Sequence, residues 1–250
     1  GQLLTLTNDI VGNGTGIIKV YGQFNPGSTI DDYDLYIYDG GTIGNNLTLA
    51  VSNNASLYLY DGAIASTTAL TSLTSSGTLY LASSTLSSIT TFATESTTSI
   101  YPNNTSIGSY TIYGGTVTMY EYTTSSNSLS VTNLTIKSGS TLTHDNNSTA
   151  QSNIININAS GDITIDSGAT VDVDALGYDG GVADVSDGNG PEGGYGVRDG
   201  SFAGGGAHGG NGGKGGSASA FGGTAYCDIS GVSTIGAGGA GGGWGGNNGH

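Results

Sequence analysis

Basic residues are nearly missing from this chain. Lys and Arg together number four (Lys19, Lys137, Arg198 and Lys214) against 19 acidic residues, giving a formal net charge of −15. A surface so poor in cations cannot neutralise phosphate, so neither nucleic acid nor anionic membrane is an expected partner. The one cysteine, Cys227, rules out an internal disulfide and reads as a small hydrophobe or a free thiol. No apolar run approaches the ~18 residues that span a bilayer. A helical 3.6-residue pattern is almost wholly lacking.

Catalytic constellations are also missing. The three histidines, His144, His208 and His250, lie far apart and outside metal-ligand spacing; His144, in "THDNNST", reads as a turn residue. Carboxylates such as Asp31, Asp32, Asp34, Asp39 and Asp61 are scattered, without the paired geometry or basic partner that sugar-cleaving chemistry needs. No G-x-S-x-G elbow occurs. These absences lead to the expectation of a non-enzyme with no catalytic residues.

Glycine is what the chain has in excess: 47 of 250 residues, where ordinary proteins carry about 7 %. The excess is uneven, with 17 glycines in residues 1–176 and 30 in residues 177–250. Two domains are therefore expected: a Ser/Thr/Asn/Tyr-rich β domain over 1–176 and a glycine-rich module over 177–250. No signal peptide precedes Gly1, so either mature numbering or an intracellular protein is expected; the final run, "GGWGGNNGH", has no closing element, so a processed product or part of a longer chain is expected.

The first part alternates apolar and polar residues, as in "LTLTNDI", "DLYIYDG", "NLTLAV", "TVTMYEY" and "DITIDSGATVDVD". Period-2 alternation bounded by Gly, Asn, Asp and Ser is the signal of short strands. The phrase "LYIYDG" at Leu35 recurs as "LYLYDG" at Leu57 and more weakly as "LYLASS" at Leu79, each 22 residues on. Ile112 and Leu134 are again 22 apart, and Leu134 to Ile163 is 29. A constant offset of that size is a rung of a β-solenoid. The expected fold is all-β, a parallel β-helix-like solenoid with ~22-residue rungs. A β-sandwich or jelly roll, whose strands also recur between turns, is the alternative.

In the second part, "GGNGGKGG" and "GAGGAGGGWGG" approach a Gly-Gly-X period. Extended three-per-turn helices of the polyproline II type are the ordered form open to such runs, because glycine permits close backbone approach. Tyr195, Phe202, Phe221, Tyr226 and Trp244 are the expected packing anchors. The series "GYDGG…PEGGYG…GGGAHGGNGGKGG…FGGTAY…GAGGAGGGWGG" resembles the glycine-rich modules of large secreted β-solenoid surface proteins and adhesins. It is also similar to glycine-rich antifreeze proteins and phage adhesin tips. That resemblance, over residues 177–250, implies a structural or adhesive role.

Three sets of residues are candidate sites. N-x-S/T acceptors begin at Asn13, Asn46, Asn54, Asn103, Asn104, Asn133, Asn146, Asn147 and Asn158, nine of the sixteen Asn before residue 161. Occupied acceptors carry N-linked glycans and place the protein outside the cell. Alternation sets Leu35 and Ile37 to one side and Tyr36 and Tyr38 to the other. Stacked rungs would then make a ladder of Tyr36, Tyr58 and Tyr80 and a second of Tyr38 and Tyr60, an expected subunit interface or sugar platform. Asp172, Asp174, Asp179, Asp184 and Asp187 supply hard oxygen ligands on glycine turns, a candidate Ca²⁺ site.

The expectation from sequence is a secreted, N-glycosylated structural subunit at the cell surface, with itself as partner, that builds a filament or surface layer. The rival expectations are an adhesin binding carbohydrate and, on Thr-x-Thr pairs (Thr5/Thr7, Thr116/Thr118, Thr141/Thr143), an ice-binding protein.

Overall fold

Alternating residues with β-branched and aromatic side chains favour extended backbone, and short strands follow wherever "x-apolar-x-apolar" meets a turn. The computed structural model describes residues 3–5, 10–21, 23–25, 29–38, 42–43, 47–51, 55–59, 64–65, 70–81, 91–102, 104–120, 128–182, 187–196, 203–208, 210–216, 221–226, 235 and 237–240. They contain twenty-one strands and no helix, so no helix long and apolar enough to cross a membrane occurs among them. The protein is all-β, and every strand pairing described is parallel. The antiparallel sheets that a sandwich or jelly roll needs do not occur among these residues.

The long strand Thr29–Ile37 organises the largest sheet. Its first residues pair with Leu47–Val51 and its last with Ser56–Leu59, so two ladders run from it. The first continues through Leu70–Ser75, Thr91–Thr94, Ser109–Ile112 and Leu134–Ile136 to Ile163–Ile165. The second continues through Thr78–Leu81, Thr98–Tyr101, Gly115–Met119 and Ser140–His144 to Thr170–Val171. Ile10–Val20 pairs with the other side of Thr29–Ile37, with a register shift between Val11 and Gly16. Two smaller sheets join Leu3–Thr5, Gln23–Asn25, Thr42–Ile43 and Ile64–Ala65, and Thr105–Ser106, Leu129–Val131 and Ile157–Ala159. The chain visits these sets in a fixed rotation, for example Leu129–Val131, Leu134–Ile136, then Ser140–His144.

Parallel pairing in register puts like residues over like residues. Leu35 pairs with Leu57 and Leu57 with Leu79, and all three are fully buried. The 22-residue offset thus holds over these strands. Beyond them it drifts: Leu79 pairs with Ile100, Ile100 with Met119 and Met119 with His144, steps of 21, 19 and 25. Ile112 does not lie over Leu134; it pairs with Ile136, while Leu134 pairs with Tyr110 and Ile163. Loops of unequal length between strands absorb the difference, since register is held by backbone hydrogen bonds within the ladders. His144 is not a turn residue: it ends a strand and is buried.

The interior is a single apolar cluster running from Val20 to Leu142. Fully burying one such side chain contributes about 1.5–3 kcal/mol. Phe92 and Tyr110 pack with ring centroids 4.5 Å apart, and the Tyr110 hydroxyl lies 3.2 Å from Thr94 Oγ1. Burial pushes the Tyr110 phenol well above the usual tyrosine value, and the Thr94 hydrogen bond opposes this only in part. Corners between the two ladders are tight. At one, Gly115 has φ +67°, and a Cβ there would lie 2.4 Å from the Ser96 carbonyl carbon, so only glycine fits.

The chain divides into two compact units, Gly1–His144 with Ile155–Asp172, and Asp145–Ile154 with Val173–His250. In the second unit the described glycine segments belong to no strand or helix. Each bonds to several neighbours. From the segment 203–208, Gly204 N–H donates to the Tyr195 carbonyl and Ala207 N–H to that of Glu192, while Gly205 N–H donates to Gly213. The carbonyls of Gly204, Gly205, Ala207 and His208 accept from Ala240, Gly223, Ala237 and Tyr226. Residues three apart therefore face the same neighbour. A Cβ on Gly194 or Gly204 would fall 1.9 Å from a neighbouring carbonyl oxygen, so the side chain's absence is what allows these contacts.

Candidate interaction surface

The outward positions of the second ladder alternate with its buried leucines, so tyrosines recurring there line up. Tyr36 and Tyr58 stack with centroids 4.2 Å apart and planes 9° off parallel. Tyr80 follows in register with Tyr58, and Tyr101 with Tyr80. Tyr101 in turn stacks on Tyr120 at 4.9 Å and 19°. The column thus extends beyond the three expected tyrosines. Tyr101 and Tyr120 escape a fixed 22-residue search because they follow at 21 and 19, although each directly follows a buried apolar residue, as in "SIY" and "TMY". In the neighbouring column Tyr21, also not anticipated, stacks on Tyr38 at 4.7 Å and 8°. Tyr60 lies outside the described residues, as does the side chain of Tyr80.

This geometry limits what the column can bind. Sugar rings pack on aromatic faces, but Tyr36 and Tyr58 cover one face of each other. What the pair displays outward is ring edge and hydroxyl. Tyr21, exposed at the end of its column, shows more of its ring. Register also aligns threonines that lie 25 residues apart: Thr116 pairs with Thr141 and Thr118 with Thr143, and Thr170 follows Thr141. The described array is two complete rows deep.

Of the N-x-S/T asparagines, Asn104, Asn146 and Asn158 are exposed and Asn133 is half-buried. Asn104 adopts φ 60°, and its Oδ1 accepts from Ser128 N–H at 3.2 Å. Asn133 Oδ1 accepts from Asp162 N–H at 2.9 Å. Asn147 differs: it is buried, its Nδ2 donates to the carbonyls of Asn153 and Leu176 at 2.9 and 2.8 Å, and its Oδ1 accepts from Ser152 and Asn153 N–H. Both amide protons are used, so a glycan on Asn147 is incompatible with this packing, and its role is to hold the 145–154 segment. Nothing in the N-x-S/T pattern separates it from Asn146 next door. The side chain of Asn13 and all of Asn46, Asn54 and Asn103 lie outside the described residues. Close to Asn158, an open trough of about 310 Å³ is lined by Ser106, Ser130, Thr132, Asn158 and Ser160 together with apolar neighbours, offering hydroxyl and amide groups without charge.

The acidic residues are not drawn together. Asp172, Asp174, Asp179 and Asp187 are exposed, and Asp187 Oδ1 accepts from Gly196 N–H at 2.8 Å. Among the described residues no three His, Cys, Asp or Glu side chains are grouped as a metal site needs; Asp184 lies outside them. In the second unit Tyr195 and Phe221 are exposed, Lys214 Nζ sits 5.2 Å from the Phe221 ring, and His208 packs edge-on against Tyr226. The Tyr226 hydroxyl donates to the Ile235 carbonyl. Phe202, Trp244 and Cys227 lie outside the described residues. Comparison with family models, with curated proteins and with solved structures yields no match to this chain.

Proposed function

We propose that this protein is a structural subunit of an extracellular, N-glycosylated filament or surface layer, assembled from copies of itself. Its first unit is read as a β-solenoid of roughly 22-residue rungs, and its second as a bundle of polyglycine-type helices. The observation that carries the reading is the continuous parallel pairing of two ladders, each over seven strand pairings, from Ile10–Val20 to Ile163–Ile165 and to Thr170–Val171. A rod of this sort repeats one surface along its length, which suits assembly better than a single-site chemistry. The stacked tyrosine column supports the same role, since aromatic edges and hydroxyls are favoured at protein interfaces. Asn104, Asn146 and Asn158 are the acceptors the reading assigns to glycans. Negative-stain electron microscopy and peptide mass mapping of native material test it: filaments or sheets with glycan masses on those peptides are expected, and unmodified monomeric particles overturn it.

A second reading, an adhesin, is favoured by the hydroxyl-lined trough beside Asn158. Glycan-array binding lost in Ser130→Ala, with assembly intact, would support it over the first. Ice binding rests on the short threonine array, and zero thermal hysteresis removes it. The acidic turns are left to solubility, with Ca²⁺ a ligand that calorimetry on the intact chain would detect.

A further inference from the structure

We infer that the first unit joins copies head to tail, the closing strands of one copy pairing with the opening strand of the next. This rests on the self-assembly reading and names the faces that carry it. Ile163–Ile165 and Thr170–Val171 are the last strands of their ladders, with no strand paired beyond them among the described residues. Ile163, Ile165 and Val171 pair with Leu134, Ile136 and Leu142, which are buried. Yet they are themselves 56, 52 and 45 % exposed. This end therefore shows interior-type apolar side chains beside an open strand edge, the combination that templates further pairing.

The opposite end fits it. Ile10–Val20 is the first strand of both ladders. The column that ends at Ile165 begins at Ile10 and passes through Ile30, Val51, Ser75, Thr94, Ile112 and Ile136. The column of Leu35, Leu57 and Leu79 likewise begins at Ile18. A second copy set head to tail keeps strand direction, parallel pairing and the register of these columns at once, which makes a second copy the fitting occupant. Charge agrees. Lys19, one of only two cations before residue 177, is exposed on the opening strand, and Asp162 and Asp172 are exposed beside the closing strands. Because the two faces differ, the contact is heterologous and open-ended, the symmetry of a filament.

The test uses the full chain and sedimentation velocity over a concentration series. Ile165→Glu with Val171→Glu breaks the closing face, and Ile18→Glu the opening face, with far-UV circular dichroism checking that each stays folded. Each is expected to sediment as a monomer, and an equimolar mixture as two-chain particles and nothing larger, since one intact face of each kind remains. Lys19→Glu changes only an exposed position, so it probes the opening face without touching the interior. It is expected to raise the concentration for half-assembly roughly two- to fivefold, with Asp172→Lys reversing the shift. If the wild type assembles and these variants assemble as it does, the end-to-end contact is wrong while self-assembly stands. If the Ile18→Glu variant dimerises alone, closing faces pair with each other and the head-to-tail contact fails. A wild type that stays monomeric throughout overturns both.

Discussion

The two units satisfy backbone hydrogen bonds in opposite ways. In the ladders each strand bonds to neighbours on two sides, and alternate side chains fill the space enclosed: Leu35, Leu57, Leu79 and Ile100 are its stacked contents. In the glycine segments each residue triplet bonds to several neighbours, and at positions such as Gly194 and Gly204 a Cβ would strike a carbonyl. The first unit is sensitive to the size of its side chains, the second to the presence of any at its closest backbone contacts. Ordering glycine costs more conformational entropy than ordering other residues, so the second unit depends on the hydrogen bonds between its segments.

That contrast is broken most severely at Gly204. Gly204→Ala places a Cβ 1.9 Å from the Phe221 carbonyl oxygen, whereas Gly213→Ala meets nothing within 4 Å. Gly204→Ala is expected to cost about 4 kcal/mol or more, seen in limited proteolysis as cleavage within 173–250 while 1–144 stays protected. Gly213→Ala is expected to leave the digest unchanged. In the ladders the corresponding cut is Leu57→Ala, which empties a fully buried position. It is expected to cost about 3 kcal/mol in urea unfolding, with the glycine segments no more protease-sensitive than before.

A smaller effect sharpens the account of the first unit's interior. Tyr110→Phe removes the hydroxyl near Thr94 and is expected to cost about 1 kcal/mol at neutral pH. The phenol's folded value is raised above its unfolded one, near 10. Its contribution is therefore complete below about pH 10 and is lost as pH rises toward the folded value. Alkaline unfolding curves should show the wild type losing stability above that pH more steeply than Tyr110→Phe. The smallest effect is expected at Lys137, whose ion pair with Asp166 at 3.2 Å is 43 % and 34 % exposed. Lys137→Ala should change thermal stability by less than about 1 kcal/mol.

What could be read directly from the chain follows from local rules. Alternation implies strands, and it assigns leucine to the interior and tyrosine to the outside in "LYIYDG" and "LYLYDG". The identical spacing of those phrases gives their register. The glycine surplus marks segments whose backbones approach too closely for a side chain. Other features needed the tertiary structure. Tyr101 and Tyr120 join the tyrosine column, Ile112 sits over Ile136, and threonines 25 residues apart become neighbours. Ladder hydrogen bonds fix register, and loops of any length fit between rungs, so a constant offset loses track. Asn147 is a buried hub rather than a glycan acceptor, because its carbonyl partners Asn153 and Leu176 are brought to it by the chain's return. Ile163, Ile165 and Val171 carry the same pattern as buried residues, and only their place in the last strands of the ladders leaves them exposed.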